Sequence, residues 1–157
     1  MKKYITLFLL LLTFFASAAS AADQITWVTL KDGLPRAKAE KKAMIVDFFF
    51  GKGCPRCEKL QKEVYDNHVI AKKIMDDFIP IRVDLTKPLT KDEEKLGEKF
   101  DYKKDCLLIF LDFDTNLILD KAGKRLCFID KVDPEEFVGY LDHIKNVYSK
   151  AISGEKK

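Results

Sequence analysis

Ala43-Met44-Ile45-Val46-Asp47-Phe48-Phe49-Phe50-Gly51-Lys52-Gly53-Cys54-Pro55-Arg56-Cys57-Glu58-Lys59-Leu60 is the stretch on which the fold turns. From Ala43 to Phe50 the chain is almost continuously apolar, the pattern of a central strand covered on both faces rather than one with a solvated side. Gly51-Lys52-Gly53 ends that strand. Pro55 suits the first turn of a helix, where its missing N–H removes nothing, and Cys57, Leu60 and Val64 then share one helical face. The two cysteines therefore sit where a central strand runs into a helix.

Outward from this unit the apolar period alternates between strand and helix, which predicts an α/β domain. Lys31–Lys42 reads as a first helix. Asn67–Asp77 reads as a helix with Val69, Ile70, Ile74 and Met75 inward, and Phe78–Asp84 as the next strand. Thr90-Lys91-Asp92-Glu93 is a capping box that opens a helix through Phe100, because the Thr and Glu side chains satisfy each other's exposed amides. Cys106–Leu111 reads as a second buried strand. Leu117–Leu119 and Arg125–Ile129 flank a turn at Ala122-Gly123-Lys124 and predict a hairpin. Asp133-Pro134-Glu135-Glu136 supplies an N-cap, a Pro at the first position and acids in the first turn of a last helix, whose inner stripe is Phe137, Tyr140, Leu141, Ile144, Val147 and Tyr148. Phe48-Phe49-Phe50 reads as core.

The pair Cys54-Pro55-Arg56-Cys57 admits three readings. At a helix start the first sulfur lies among unsatisfied amides at the positive end of the helix dipole, which favours thiolate and makes Cys54 the nucleophile of a redox pair. Three residues of helix bring the two Cα atoms to about 5–6 Å, within reach of a disulfide, so Cys57 can resolve a mixed disulfide formed at Cys54. Arg56 adds positive charge, which should lower the thiolate pKa further, and Pro55 removes one amide and stiffens the turn, so the expected couple is more oxidising than one with neutral intervening residues. A purely structural disulfide is the second reading, although so short a loop constrains the unfolded chain very little. The third is a metal or iron–sulfur site using Cys54, Cys57 and Cys106, with Cys127 completing a four-thiolate shell; zinc modules usually show two close pairs, and here the second pair is widely spaced.

The chain has 157 residues and 47% apolar composition, enough for one domain with a core. Met1-Lys2-Lys3, the apolar run Ile5–Phe15 and the small residues Ala16–Ala22 have the form of a cleaved secretory signal peptide, the run being short for a membrane span. Residues 1–22 are thus expected to be the signal, 23–152 the domain and 153–157 a polar tail. The formal charge of +3 falls to about +1 without Lys2 and Lys3. With the two signs interspersed, nucleic acid is excluded as a partner. Neither a Gly-x-Ser-x-Gly nor a phosphate-binding loop is present, so hydrolase and nucleotide-binding readings lack support. His68 and His143 read as surface histidines, and Cys127 as a small buried hydrophobe, with a Cys106–Cys127 bridge as its rival.

Taken together, Trp27 followed by an Ala/Lys helix, Val46-Asp47-Phe48, Gly51-Lys52-Gly53-Cys54-Pro55-Arg56-Cys57-Glu58-Lys59-Leu60, Glu63-Val64-Tyr65, Val83-Asp84-Leu85-Thr86 and Val132-Asp133-Pro134-Glu135-Glu136-Phe137 resemble the secreted thioredoxin-like family. That group includes the C-terminal domain of the thiol:disulfide interchange protein DsbD. The resemblance implies a thioredoxin-like fold, a central mixed sheet flanked by helices with an N-terminal extension, and thiol–disulfide exchange without a cofactor. It implies Cys54 as nucleophile, Cys57 as resolving thiol and Asp47 as the acid–base group for Cys57. Burial among Ile45, Val46, Phe48 and Phe49 would raise the Asp47 pKa toward the useful range. Client chains would lie against Gly53, Pro55 and Arg56 and against the loop of Asp105 and Cys106. The expected setting is a periplasm, where such a monomer takes electrons from a membrane partner and reduces client proteins. Two positions depart from the family. Gly53 stands where a Trp is usual, and Cys106 where the family has a cis-proline; an alternative register puts Asp114 there, and the missing proline makes a non-catalytic thioredoxin-fold binding module a rival to the redox reading.

Overall fold

Residues 24–101, 108–120, 122–125 and 133–154 are described by a computed structural model, so the segment 1–22 expected to be a signal lies outside the described residues. The elements run α1 (Leu30–Glu40), β1 (Met44–Phe49), α2 (Pro55–Leu60) continued by a π-helical turn (Gln61–Tyr65), α3 (His68–Asp77), β2 (Ile79–Asp84), α4 (Lys91–Phe100), β3 (Leu108–Leu111) and α5 (Pro134–Ser153). Among the described residues the sheet has the order β2-β1-β3, with β1 parallel to β2 and antiparallel to β3. Bridges Val28–Ile81 and Leu111–Leu117 extend the pairing beyond both outer strands. The mixed sheet flanked by helices is the architecture the sequence predicts.

Both faces of β1 are covered, as its unbroken apolar run requires. Met44, Val46 and Phe48 point to one side with Ile79, Ile81 and Val83 of β2, and pack with Leu30 and Ala37 of α1 and Leu96 and Phe100 of α4. Ile45 points to the other, with Leu108 and Phe110 of β3, under Cys57, Leu60, Ile70, Ile74, Phe137, Leu141 and Ile144. Each of these buried aliphatic or aromatic side chains contributes about 1.5–3 kcal/mol of transfer free energy. On the first side α1 comes close enough to β2 that a Cβ at Gly33 would lie 2.5 Å from Ile81 side-chain carbons, so only glycine fits there.

The helix starts follow the caps read from the sequence. Thr90 and Glu93 form the reciprocal capping box of α4, and the Asp133 side chain accepts the N–H groups of Glu135 and Glu136 with Pro134 at the first helical position. Asn67 caps α3 in the same way. Four expectations are corrected. Val69 is exposed, because the inward stripe of α3 is Ile70, Ala71 and Ile74, and Val147 is exposed at the edge of the buried stripe of α5 formed by Phe137, Leu141, Ile144 and Tyr148. Of the three consecutive phenylalanines only Phe48 is core; Phe49 is half-buried, and Phe50 lies past the end of β1 in solvent. Leu117 and Ile118 pair back on Leu111 and Phe110 across a turn at Asp112–Asn116, a contact the sequence reading did not anticipate. The turn around Gly123 is present, with Asp120 N–H bonded to the Lys124 carbonyl, whereas the return arm from Leu126 lies outside the described residues.

Candidate active site

Strand β1 delivers the chain to the site through Gly51 and Gly53, both in the left-handed region (φ 89° and 88°) that L-residues avoid. Two such turns within three residues reverse the chain tightly enough to start α2 at once. Cys54 is the N-cap of that helix, in extended conformation, and its Sγ accepts the Cys57 N–H at 3.2 Å. The first sulfur is thus aimed at the helix amides, as its place before Pro55 predicts. The Cα atoms of Cys54 and Cys57 are 5.3 Å apart and the sulfurs are bonded. Cys54 is half-buried, packed against the core cluster that contains Cys57, and Cys57 is only 9% exposed, so the first cysteine is the more accessible of the two. Gly53, Pro55 and Arg56 are exposed around Cys54. The Gly53 N–H donates to Glu58 Oε1 at 3.0 Å, tying the loop to the helix it precedes.

Asp47 points to the same side of the sheet as Ile45, the side on which α2 lies, and is 4% exposed. The parallel register sets Arg82 of β2 directly beside it. Arg82 Nε donates to Asp47 Oδ2 at 2.6 Å and the Tyr65 hydroxyl donates to Oδ1 at 3.1 Å. Burial pushes the Asp47 carboxyl above its ordinary value, and the Arg82 charge and the two hydrogen bonds pull it partly back. Tyr65 is held well above the usual phenol range by its own burial and by the neighbouring carboxylate. The guanidinium of Arg82 is itself fixed: it lies 4.4 Å from the Trp27 ring centroid and 5.0 Å from that of Phe49, and its Nη2 donates to Gln61 Oε1. Trp27 meets Tyr65 edge-on at 4.9 Å. The π-helical turn matters here, since it brings two consecutive residues, Val64 and Tyr65, to the buried side and so delivers the hydroxyl to Asp47.

The fold therefore places Gly53, Cys54, Pro55, Arg56 and Cys57 where β1 ends and α2 starts, with Asp47 inside β1, two residues before that end and bonded to Tyr65 and Arg82. Asp105, Cys106 and Cys127 lie outside the described residues. Strand β3 begins at Leu108, opposite Asp47, and runs away from this end, reaching Leu111 opposite Met44. Asp114, beyond Leu111, is thus at the far end of the sheet, which overturns the alternative register that set it against the cysteine pair. Among the described residues no cluster of three or more His, Cys, Asp or Glu side chains is placed to hold a metal ion. The sequence reading passed over Arg82, Tyr65, Trp27, Gln61 and Glu58. One signal was available: a charged residue within Ile79-Pro80-Ile81-Arg82-Val83 must find a counterion when its strand is buried.

A strand that feeds a bonded cysteine pair into a helix N-terminus, the first cysteine more accessible than the second, and carries a buried carboxylate on the face that helix covers, defines a thiol–disulfide exchange module. The chain belongs to the thioredoxin-like family, whose model matches residues 26–111. Among solved structures it is similar to the oxidoreductase DsbH (15% identity, 84% of this chain and 92% of that one, TM-score 0.61). It is also similar to a thioredoxin from Thermus thermophilus (18% identity, 85% and 94%, TM-score 0.56). A third is the C-terminal domain of DsbD from Neisseria meningitidis in its oxidised form (16% identity, 74% and 97%, TM-score 0.50). A comparison with curated proteins by sequence found no match.

Proposed function

We propose that this protein is a periplasmic thiol–disulfide oxidoreductase that reduces disulfides of client proteins through Cys54 and Cys57. The observation that carries the reading is the asymmetric cysteine pair, with Cys54 at the helix cap and half-buried while Cys57 is buried. In the reduced state the Cys57 N–H that now meets Cys54 Sγ would donate to a thiolate. That thiolate attacks one sulfur of a client cystine; the client S–S bond breaks, and its other sulfur leaves as a thiolate that takes a proton from water. A mixed disulfide joins Cys54 to the client.

Cys57 then loses its proton to Asp47 and attacks Cys54 Sγ. The mixed bond breaks, the second client sulfur leaves and is protonated, and the Cys54–Cys57 disulfide remains. The client has gained two electrons and the domain has lost two. Arg82 occupies Oδ2 of Asp47 with the shorter bond, so the proton goes to Oδ1, where only the longer bond from Tyr65 must turn away. Burial, which raises the Asp47 pKa, makes that oxygen a better base than an exposed carboxylate.

The periplasmic setting rests on the form of residues 1–22, and the reducing direction, with a membrane partner returning electrons, rests on the family resemblance. The test is insulin reduction by dithiothreitol followed by turbidity. The mature protein accelerates precipitation, and Cys54→Ser abolishes the acceleration. Equal rates for the two proteins would overturn the assignment.

A further inference from the structure

Glu58 lies one helical turn beyond Cys54, its N–H bonded to the Cys54 carbonyl at 3.0 Å, so the two side chains share a face of α2. Its carboxylate is not left to wander. Oε1 accepts the Gly53 N–H at 3.0 Å, which draws it back along the helix to the loop carrying the outer sulfur. No atom other than chain neighbours lies within 4 Å of the position a Gly53 Cβ would take, so no side chain covers that side of Gly53, and the bond to Glu58 is made at an exposed position. An anion tied to the residue before a sulfur that must itself become an anion is a repulsive arrangement, and it opposes the effect of the helix amides on that sulfur.

We propose that Glu58 is a positioning residue for the exchange reaction: held by Gly53 against the active-site loop, its carboxylate destabilises the Cys54 thiolate and makes the cysteine pair a stronger reductant. The inference rests on the exchange reading given above and deepens it, since it supplies a structural reason for electrons to leave this domain. The other charged groups around this end are Lys52 on the loop, Arg56 and Lys59 on α2, Lys62 and Glu63 in the π-helical turn, Asp47 and Arg82 on the sheet, and Asp84 with Lys87 where β2 ends; Lys59 pairs with Glu63 and Lys87 with Asp84. Arg56 and Lys52 act against Glu58, whereas Asp47 and Arg82 neutralise each other at 2.6 Å. Glu58 therefore sets the balance on the face of α2 that Cys54 occupies.

The test uses the reduced mature protein and reads the Cys54 ionisation by thiolate absorbance across pH, and the reduction potential by equilibration with glutathione. Glu58→Gln keeps an oxygen that can accept from Gly53 and removes only the charge. Two unit charges about 5–6 Å apart, one of them on an exposed side chain so that the effective dielectric is about 40–80, interact by roughly half to one pKa unit. The Cys54 midpoint is therefore expected to fall by that amount, a roughly 3- to 10-fold gain in thiolate-to-thiol ratio, and the potential to rise by up to about 15–30 mV. Glu58→Lys should move both further in the same direction, and 1 M salt should bring the wild-type midpoint toward that of Glu58→Gln. An unchanged or raised midpoint in folded Glu58→Gln would overturn the proposal, as would a shift insensitive to salt. Insulin reduction by the wild type keeps the two readings apart: activity without a Glu58→Gln shift sinks this inference alone, and a shift without wild-type activity sinks the exchange reading.

Discussion

Replacing Arg82 with Gln removes the guanidinium from a buried carboxylate while leaving a polar side chain that fits the same strand position. The pair it breaks is short, 2.6 Å, with the Asp47 side chain 5% and the Arg82 side chain 23% exposed. Losing one partner of a fully buried ion pair costs about 3–5 kcal/mol. Because Arg82 is partly in water and Tyr65 still donates to Asp47, we discount this to about 2–3 kcal/mol at pH 7. The sign of the pH dependence follows from Asp47. Its folded pKa is already raised by burial, and without Arg82 it rises further. A carboxyl whose folded pKa lies above its unfolded value binds protons preferentially in the folded state, so its contribution to stability is complete below the unfolded pKa of about 4 and is lost as pH rises through the folded value. The stability gap between Arg82→Gln and wild type should therefore be small near pH 4.5 and open fully by pH 7.5. Urea unfolding of the oxidised proteins at both pH values measures it, and the double variant Asp47→Asn with Arg82→Gln should recover most of the loss. A gap below about 0.5 kcal/mol at pH 7.5, outside the range for a broken buried pair, would refute the reasoning, and so would a gap equal at the two pH values.

Two further outcomes follow from the site. Asp47→Asn should slow insulin reduction about 10²-fold at pH 7, the scale of a lost proton-transfer group, and the deficit should narrow at alkaline pH, where hydroxide replaces the missing base; a deficit constant with pH would remove Asp47 from the proton path. Gly53→Ala, with open space around it, should cost only the left-handed strain of about 1–2 kcal/mol. Gly51→Ala should cost about 1–3 kcal/mol more, because its Cβ would lie 2.5 Å from Thr86 Cγ2, and Thr86 is held in place by the bond from its hydroxyl to Asp84. Thermal unfolding of the two variants checks the order, and equal losses would contradict the packing at Gly51.

What the sequence disclosed and what it hid divide by range along the chain. Cys54, Pro55 and Cys57 were legible because a strand end, two glycines and a helix cap are contiguous, and so were Thr90 with Glu93 and Asp133 with Pro134. Asp47 was legible as a lone acid within an apolar run. Its partners were not, because Arg82 reaches it only through the register of a parallel pair thirty-five residues apart, and Tyr65 only through the π-helical turn. Neither leaves a local pattern. The exposed faces were misjudged for a related reason: Val69 and Val147 fit an apolar stripe by periodicity, but the width of that stripe is set by what packs over it. Phe50 was read as core because composition cannot tell where a strand leaves the sheet.

The central claim is that Cys54 alone meets the client. Incubating reduced Cys57→Ser protein with a short cystine-bridged peptide and digesting the product for mass spectrometry tests it directly. The account predicts an adduct of one peptide per chain, located on Cys54. Absence of an adduct, or its appearance on Cys106 or Cys127 with Cys54 unmodified, would contradict it.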